Sequence, residues 1–204
     1  MKCLVLGDSS YSELTESWGF ETATDLSRDK VDLIFFTGGS DVDPSLYNHK
    51  RLPSCGPSNP PRDQQEVKVY ELAKKYKVPT LGVCRGSQFL NVMNGGKLVQ
   101  HMTGHTQNHT VTLYSGKEME VTSSHHQMMI PAEGHRLLAW SKEKRSDTYF
   151  VGGSTPLPSK EIEVVYYPKT QSLCIQPHPE WMSEDSEFRK MCKRWTMAMV
   201  GKKS

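Results

Sequence analysis

Three short apolar runs constrain this chain more than any other feature. "KCLVLG" (2–7) and "DLIFFTGG" (32–39) close on glycine, and "VPTLGVC" (78–84) closes on a cysteine. Apolar runs without polar alternation suit strands buried on both faces, as in a parallel sheet. Helical patterns separate them. Residues 11–18 read as a short helix. "RDQQEVKVYELAKKYK" (62–77) places Val69, Leu72, Ala73 and Tyr76 at i, i+3, i+4 and i+7, which predicts an amphipathic helix with that stripe on the core. "SQFLNVMN" (87–94) predicts a further helix, stopped by Gly95-Gly96. Parallel neighbours need crossover connections. The alternation therefore predicts one α/β domain over residues 1–204, with a mostly parallel central sheet flanked by helices.

The second half carries a different pattern. Residues 110–115 and 118–124 predict an antiparallel pair. "EIEVVYYP" and "SLCIQPHP" predict a second, giving an additional small antiparallel β region. Residues 141–160 are polar, contain Gly152-Gly153, and read as a surface loop. Ser183 reads as the N-cap of a last helix, with Glu184 and Asp185 in its first turn and an apolar stripe of Phe188, Met191, Cys192, Trp195 and Ala198.

Composition excludes several classes. A chain of 204 residues is long enough for one real core. A net charge of +2 gives no footprint for nucleic acid, and the basic "GKKS" end reads as a solvated cluster. No apolar run approaches the ~20 residues that span a bilayer, and no signal peptide is expected. Five scattered cysteines form neither a disulfide framework nor a CxxC zinc motif, so a cytoplasmic, reducing setting is expected.

Cys84 stands at the carboxyl end of a predicted buried strand, directly before a helix. Reactive groups of open α/β sheets gather at that edge, and a helix N-terminus favours a thiolate. Gly82 and Gly86 flank it as small residues flank a nucleophile elbow. The turn alone fits a nucleophile and a buried structural cysteine equally. A nucleophilic thiol needs a histidine, and the histidine needs an acceptor. His178, held between two prolines in "QPHPEW", has Glu180 two residues on. In an extended segment both would face one side. By itself this is also how a stiff surface loop looks. Gly38-Gly39 ends another strand, where backbone N–H groups, with that of Arg85, could hold an oxyanion.

Together, "TGGSDVDPSLY", "PPRDQQE", "LGVCRGSQFLNVMNGGKLVQ", "VTSSHHQ" and "IQPHPEW" resemble, in this order, the class I glutamine amidotransferase-like superfamily. The pattern is most similar to its gamma-glutamyl hydrolase and gamma-glutamyl-GABA hydrolase branch. The resemblance spans residues 32–181 and implies a flavodoxin-like fold and a cysteine hydrolase of gamma-glutamyl amides. It implies Cys84 as nucleophile, His178 as base and acid, and Glu180 as its orienting partner. It also implies an oxyanion hole from Gly38, Gly39 and Arg85, and a substrate pocket lined by Gln88, Ser124 and His125. No cofactor or metal is implied. The partners are a small gamma-glutamyl substrate and, in an alternative role, a separate synthetase that receives ammonia from this chain; a homodimer stays open. The chain departs from the branch at residues 141–160, which lack the Asp-Gly turn common before "IE". That leaves the leaving-group side of the pocket, and so the substrate, undefined.

Two further groups of residues stand out. His101, His105 and His109 are spaced by four, which on a helix would suit a metal. Gly104 and the surrounding turn formers argue against a helix, so they read as polar loop histidines near the active-site mouth. Arg62-Asp63 reads as a salt-bridged helix start.

Overall fold

The structure is a computed structural model, and it describes residues 1–26 and 29–201. The basic end at residues 202–204 lies outside the described residues. In chain order, the first half holds β1 (Lys2–Leu6), α1 (Ser12–Ser17), β2 (Glu21–Ala23), β3 (Leu33–Phe36), α2 (Pro60–Tyr76), β4 (Thr80–Val83) and α3 (Arg85–Met93). The second half holds β5 (Lys97–Val99), β6 (His101–Met102), β7 (His109–Leu113), β8 (Glu118–Val121), β9 (Met128–Ile130), β10 (Arg136–Ser141), β11 (Tyr149–Phe150), β12 (Ile162–Tyr167), β13 (Ser172–Ile175) and α4 (Glu187–Val200).

One nine-stranded sheet organises the molecule, in the order β2-β1-β3-β4-β13-β12-β10-β7-β8. The first five of these run parallel, and the rest extend the sheet antiparallel. The expected α/β fold is present. The antiparallel region is largely a continuation of the same sheet, with two small two-stranded antiparallel sheets beside it. β13 joins the two halves: it is the antiparallel neighbour of β12 and the parallel neighbour of β4, with Ile175 opposite Val83.

Side chains alternate across β3, so Leu33 and Phe35 enter one core while Ile34 and Phe36 enter the other. The first core packs under α1 and α4 through Leu14, Phe188 and Cys192. The second packs under α2 and α3 through Tyr70, Ala73, Phe89 and Leu90. Among the described residues, no helix is long and apolar enough to cross a membrane.

Three expectations are corrected. The buried face of α2 is Asp63, Glu66, Tyr70 and Ala73, whereas Leu72 and Tyr76 are exposed. Apolar spacing chose the wrong face because two carboxylates are buried by pairing with arginine. The last helix is capped by Ser186, whose side chain accepts from the Arg189 N–H, and not by Ser183. Residues 141–160 are not simply a surface loop: β11 pairs with β6, and Ser146 is fully buried.

Candidate active site

Cys84 sits between β4 and α3 with φ 51° and ψ −112°. A positive φ is uncommon for a residue with a side chain, and such strain gathers at functional sites. The surroundings hold it there. Its N–H donates to Ile175 O at 2.9 Å, while Cys84 O accepts from Ser87 N at 3.0 Å and Gln88 N at 3.2 Å. Gly82 and Gly86 make the turn physically possible. A Cβ on Gly86 would stand 1.9 Å from Phe36 O, and one on Gly82 would stand 2.3 Å from Gly86 O. The thiol is partly exposed, unlike those of Cys3, Cys55, Cys174 and Cys192, which are buried.

His178 follows β13, so the β4–β13 pairing carries it to the edge where Cys84 stands. Its N–H donates to Thr122 O at 2.8 Å, and its ring stacks on Trp181 with centroids 3.8 Å apart and planes 4° apart. Nδ1 lies 2.6 Å from Glu180 Oε1. Glu180 reaches it from a 3-10 turn, Pro179–Trp181, and not from the extended segment expected. A carboxylate oxygen can only accept, so Nδ1 carries the proton and Nε2 is left to act. Nε2 is buried without a hydrogen-bond partner. Burial works against charge on His178, but the Cys84 thiol and Glu180 outweigh it and raise the imidazole to about 9.

The glycine turn is clamped from behind. Arg62 donates through Nη2 to Thr37 O and through Nη1 to Gly38 O, both at 3.0 Å. In a trans peptide the carbonyl and N–H point opposite ways. The N–H groups of Gly38 and Gly39 therefore face away from Arg62. A Cβ on Gly38 would stand 3.8 Å from Cys84 Cβ and 2.4 Å from the Tyr11 hydroxyl. Glu66 Oε1 accepts from Arg62 Nε at 2.7 Å, and its other oxygen pairs with Arg85, which also pairs with Asp63. Arg85 is 1% exposed, so its side chain is a buried structural tie. Its backbone N–H belongs to the first turn of α3, where donors have no partner within the helix. Arg62 and Asp63 are thus more than a helix start: one charge network fixes both the glycine turn and the start of α3.

The remaining expected residues fall in different places. Gln88 is buried and its Nε2 donates to Gln176 Oε1 at 3.5 Å. Ser124 is exposed, two residues beyond the Thr122 carbonyl that binds His178. His125 turns into the core, with Nδ1 on Gln127 O at 2.9 Å and Nε2 toward Glu163. His105 and His109 are also buried and meet the same carboxylate, so they are not loop histidines at a mouth. His101 instead faces His126, whose Nε2 lies 3.0 Å from Asp41 Oδ1.

Sequence reasoning missed Tyr11. Its ring packs edge-on against Phe35, and its hydroxyl reaches Gly38. Burial, then Glu180 and Cys84, push its pKa up and keep it protonated. Its place just before an N-terminal helix carries no local signal for such a role.

The chain matches the family model described as peptidase C26 over residues 21–149. YvdE of Lactococcus lactis, named as glutamine amidotransferase-like, is 32% identical over 171 residues, which cover 78% of this chain and 70% of YvdE. The chain belongs to the peptidase C26 family. It is thereby a hydrolytic enzyme of the class I glutamine amidotransferase-like superfamily. NtpR of Enterococcus hirae is 34% identical over 100 residues, 46% of this chain and 42% of NtpR. The solved structure of a glutamine amidotransferase from Thermotoga maritima superposes with a TM-score of 0.66 over 98% of each chain. At 15% identity that likeness shows the fold alone, and this C26 chain shares it from β1 to α4.

Proposed function

We propose that this chain is a cysteine hydrolase of gamma-glutamyl amides, with Cys84 as nucleophile and His178 and Glu180 completing the triad. The observation that carries the reading is the strained Cys84 turn facing a histidine whose other nitrogen is fixed by Glu180 at 2.6 Å. The Cys84 thiolate attacks the gamma-carbonyl carbon. The resulting oxyanion is held by backbone N–H groups of Gly38, Gly39 and Arg85. His178 gives its Nε2 proton to the leaving amine, which departs and leaves a gamma-glutamyl thioester. Water then attacks the thioester carbon, with His178 taking its proton, and glutamate leaves as the thiol is restored.

The fixed direction of the Gly38 and Gly39 N–H groups supports a hole formed before substrate binds, which is where electrostatic catalysis gains most. Gln88 and Ser124 remain candidates for the glutamyl end of the pocket. The burial of His125 favours an indirect role for it.

A second reading has the same site release ammonia from glutamine for a separate synthetase. It is favoured by the glutamine amidotransferase-like name that YvdE carries. Amine release from a panel of gamma-glutamyl amides and free glutamine, with and without candidate synthetases, separates the two. Turnover of several amides by the chain alone supports the hydrolase. Turnover of glutamine alone, and only with a partner, supports the subunit. Cys84→Ala should reduce either activity roughly 10,000-fold or more, and full activity in that variant overturns both.

A further inference from the structure

Glu163 lies at the start of β12, fully buried and remote in sequence from the three histidines that surround it. His105 comes from the β6–β7 connection, His109 from the start of β7, and His125 from the β8–β9 connection. The outer nitrogens of two of these rings are already committed. His105 Nε2 lies 3.0 Å from Glu161 Oε2, and His125 Nδ1 lies 2.9 Å from Gln127 O. A carboxylate and a carbonyl only accept, so both nitrogens carry the N–H. The inner nitrogens, His105 Nδ1 and His125 Nε2, both point at Glu163, 2.9 Å from its Oε1 and 3.5 Å from its Oε2.

Glu163 is arranged in the same way. Its Oε1 lies 2.9 Å from both His109 Nε2 and His105 Nδ1, while Oε2 lies 3.5 Å from His125 Nε2. His105 Nδ1, His125 Nε2 and Glu163 Oε2 are all buried without a hydrogen-bond partner. Ligand atoms of these three residues lie within 4.8 Å of one another. Two imidazole nitrogens and a carboxylate oxygen that converge in the core without hydrogen bonds are costly to bury unless positive charge, from a metal ion or from protons, joins them.

We infer that His105 Nδ1, His125 Nε2 and Glu163 Oε2 form a binding site for a divalent transition-metal ion, with zinc as the best match. Two imidazoles and one carboxylate suit zinc's preference for nitrogen and oxygen donors, and a water would complete four-coordination. The supporting groups are those that metal sites use: a carboxylate behind one histidine and a backbone carbonyl behind the other. The site is also rigid before any ion enters. His125 N donates to His105 O at 3.1 Å, and Ser123 Oγ donates to the same carbonyl at 2.6 Å. Glu161 is pinned by the N–H groups of Arg145 and Ser146, each at 2.8 Å.

An ion there would tie β12 to two connecting segments. One of these contains Thr122, whose carbonyl holds the backbone of His178. Its role is structural, and the inference does not depend on the hydrolase reading.

The test uses the full chain as Cys84→Ala, so that zinc cannot collect on the active-site thiol. After treatment with a chelator and dialysis, the protein is titrated with zinc against a chromophoric chelator. About one zinc per chain is expected, lost or weakened at least 100-fold in the near-isosteric Glu163→Gln. Zinc-edge anomalous scattering from crystals of the Cys84→Ala protein locates the ion without that second variant. Density between His105, His125 and Glu163 supports the site. No zinc bound at excess, zinc located elsewhere, or equal binding in a folded Glu163→Gln overturns it.

Discussion

At the residue scale, the proposed chemistry depends on how His178 is charged. Its folded pKa, about 9, lies above the ordinary 6.5. The stabilisation from its protonated form is therefore fully present below pH 6.5 and lost as pH rises through 9, on the order of 3 kcal/mol for so buried a group. The midpoint of urea unfolding should fall across that window, and the fall should shrink in His178→Phe. Activity should report the same group. The alkaline limb of kcat/KM is expected near pH 9, where His178 loses its proton. Glu180→Gln removes one of the groups that raise His178, so the limb should move to lower pH. An unmoved limb would take the orienting role away from Glu180.

At the element scale, the turn between β4 and α3 and the first turns of α2 work as one unit. Gly86→Ala would drive a methyl into the Phe36 carbonyl of β3, a backbone atom that cannot swing aside. A cost of about 3 kcal/mol or more is expected in urea unfolding, well above a surface Gly→Ala change. Arg62 acts from the N-terminal turn of α2 on the peptides of the glycine turn. Arg62→Ala should lower kcat by about 100-fold, near the cost of one lost oxyanion donor. It should also weaken glutamate gamma-semialdehyde, whose adduct with the thiol carries the oxyanion. Alkylation of Cys84 by iodoacetamide, which needs no such hole, should keep its rate. If both probes change equally, the arginine is only holding the fold. Lysine at position 62 should not restore the hole, because one ammonium cannot reproduce the planar fork on two carbonyls.

At the scale of the whole molecule, Arg85, Asp63 and Glu66 join α2 to α3 through a buried ion network. Arg85→Met leaves buried Asp63 without its ion-pair partner and Glu66 with Arg62 alone, which costs about 3–5 kcal/mol. For a chain of this length that lowers the melting temperature by roughly 10 °C, measurable by calorimetry. The sequence by itself determined the local features: the buried strands β1, β3 and β4, the helix after Cys84, and the glycines that let the chain turn there. These are set by neighbours a few residues apart, through apolar period and steric freedom. Only the tertiary structure decided which residues meet. β13 could have ended a separate hairpin with β12, but its parallel register against β4 brings His178 to Cys84. Asp63 and Glu66 look like solvated helix residues until Arg85 is brought beneath them, and that is why apolar spacing misread α2. In the sequence His105 belongs to a run of evenly spaced histidines and His125 to the pocket that the resemblance implies, and nothing there links either to Glu163. Their meeting depends on strand order across the sheet, a property of long-range pairing that no stretch of this chain encodes locally.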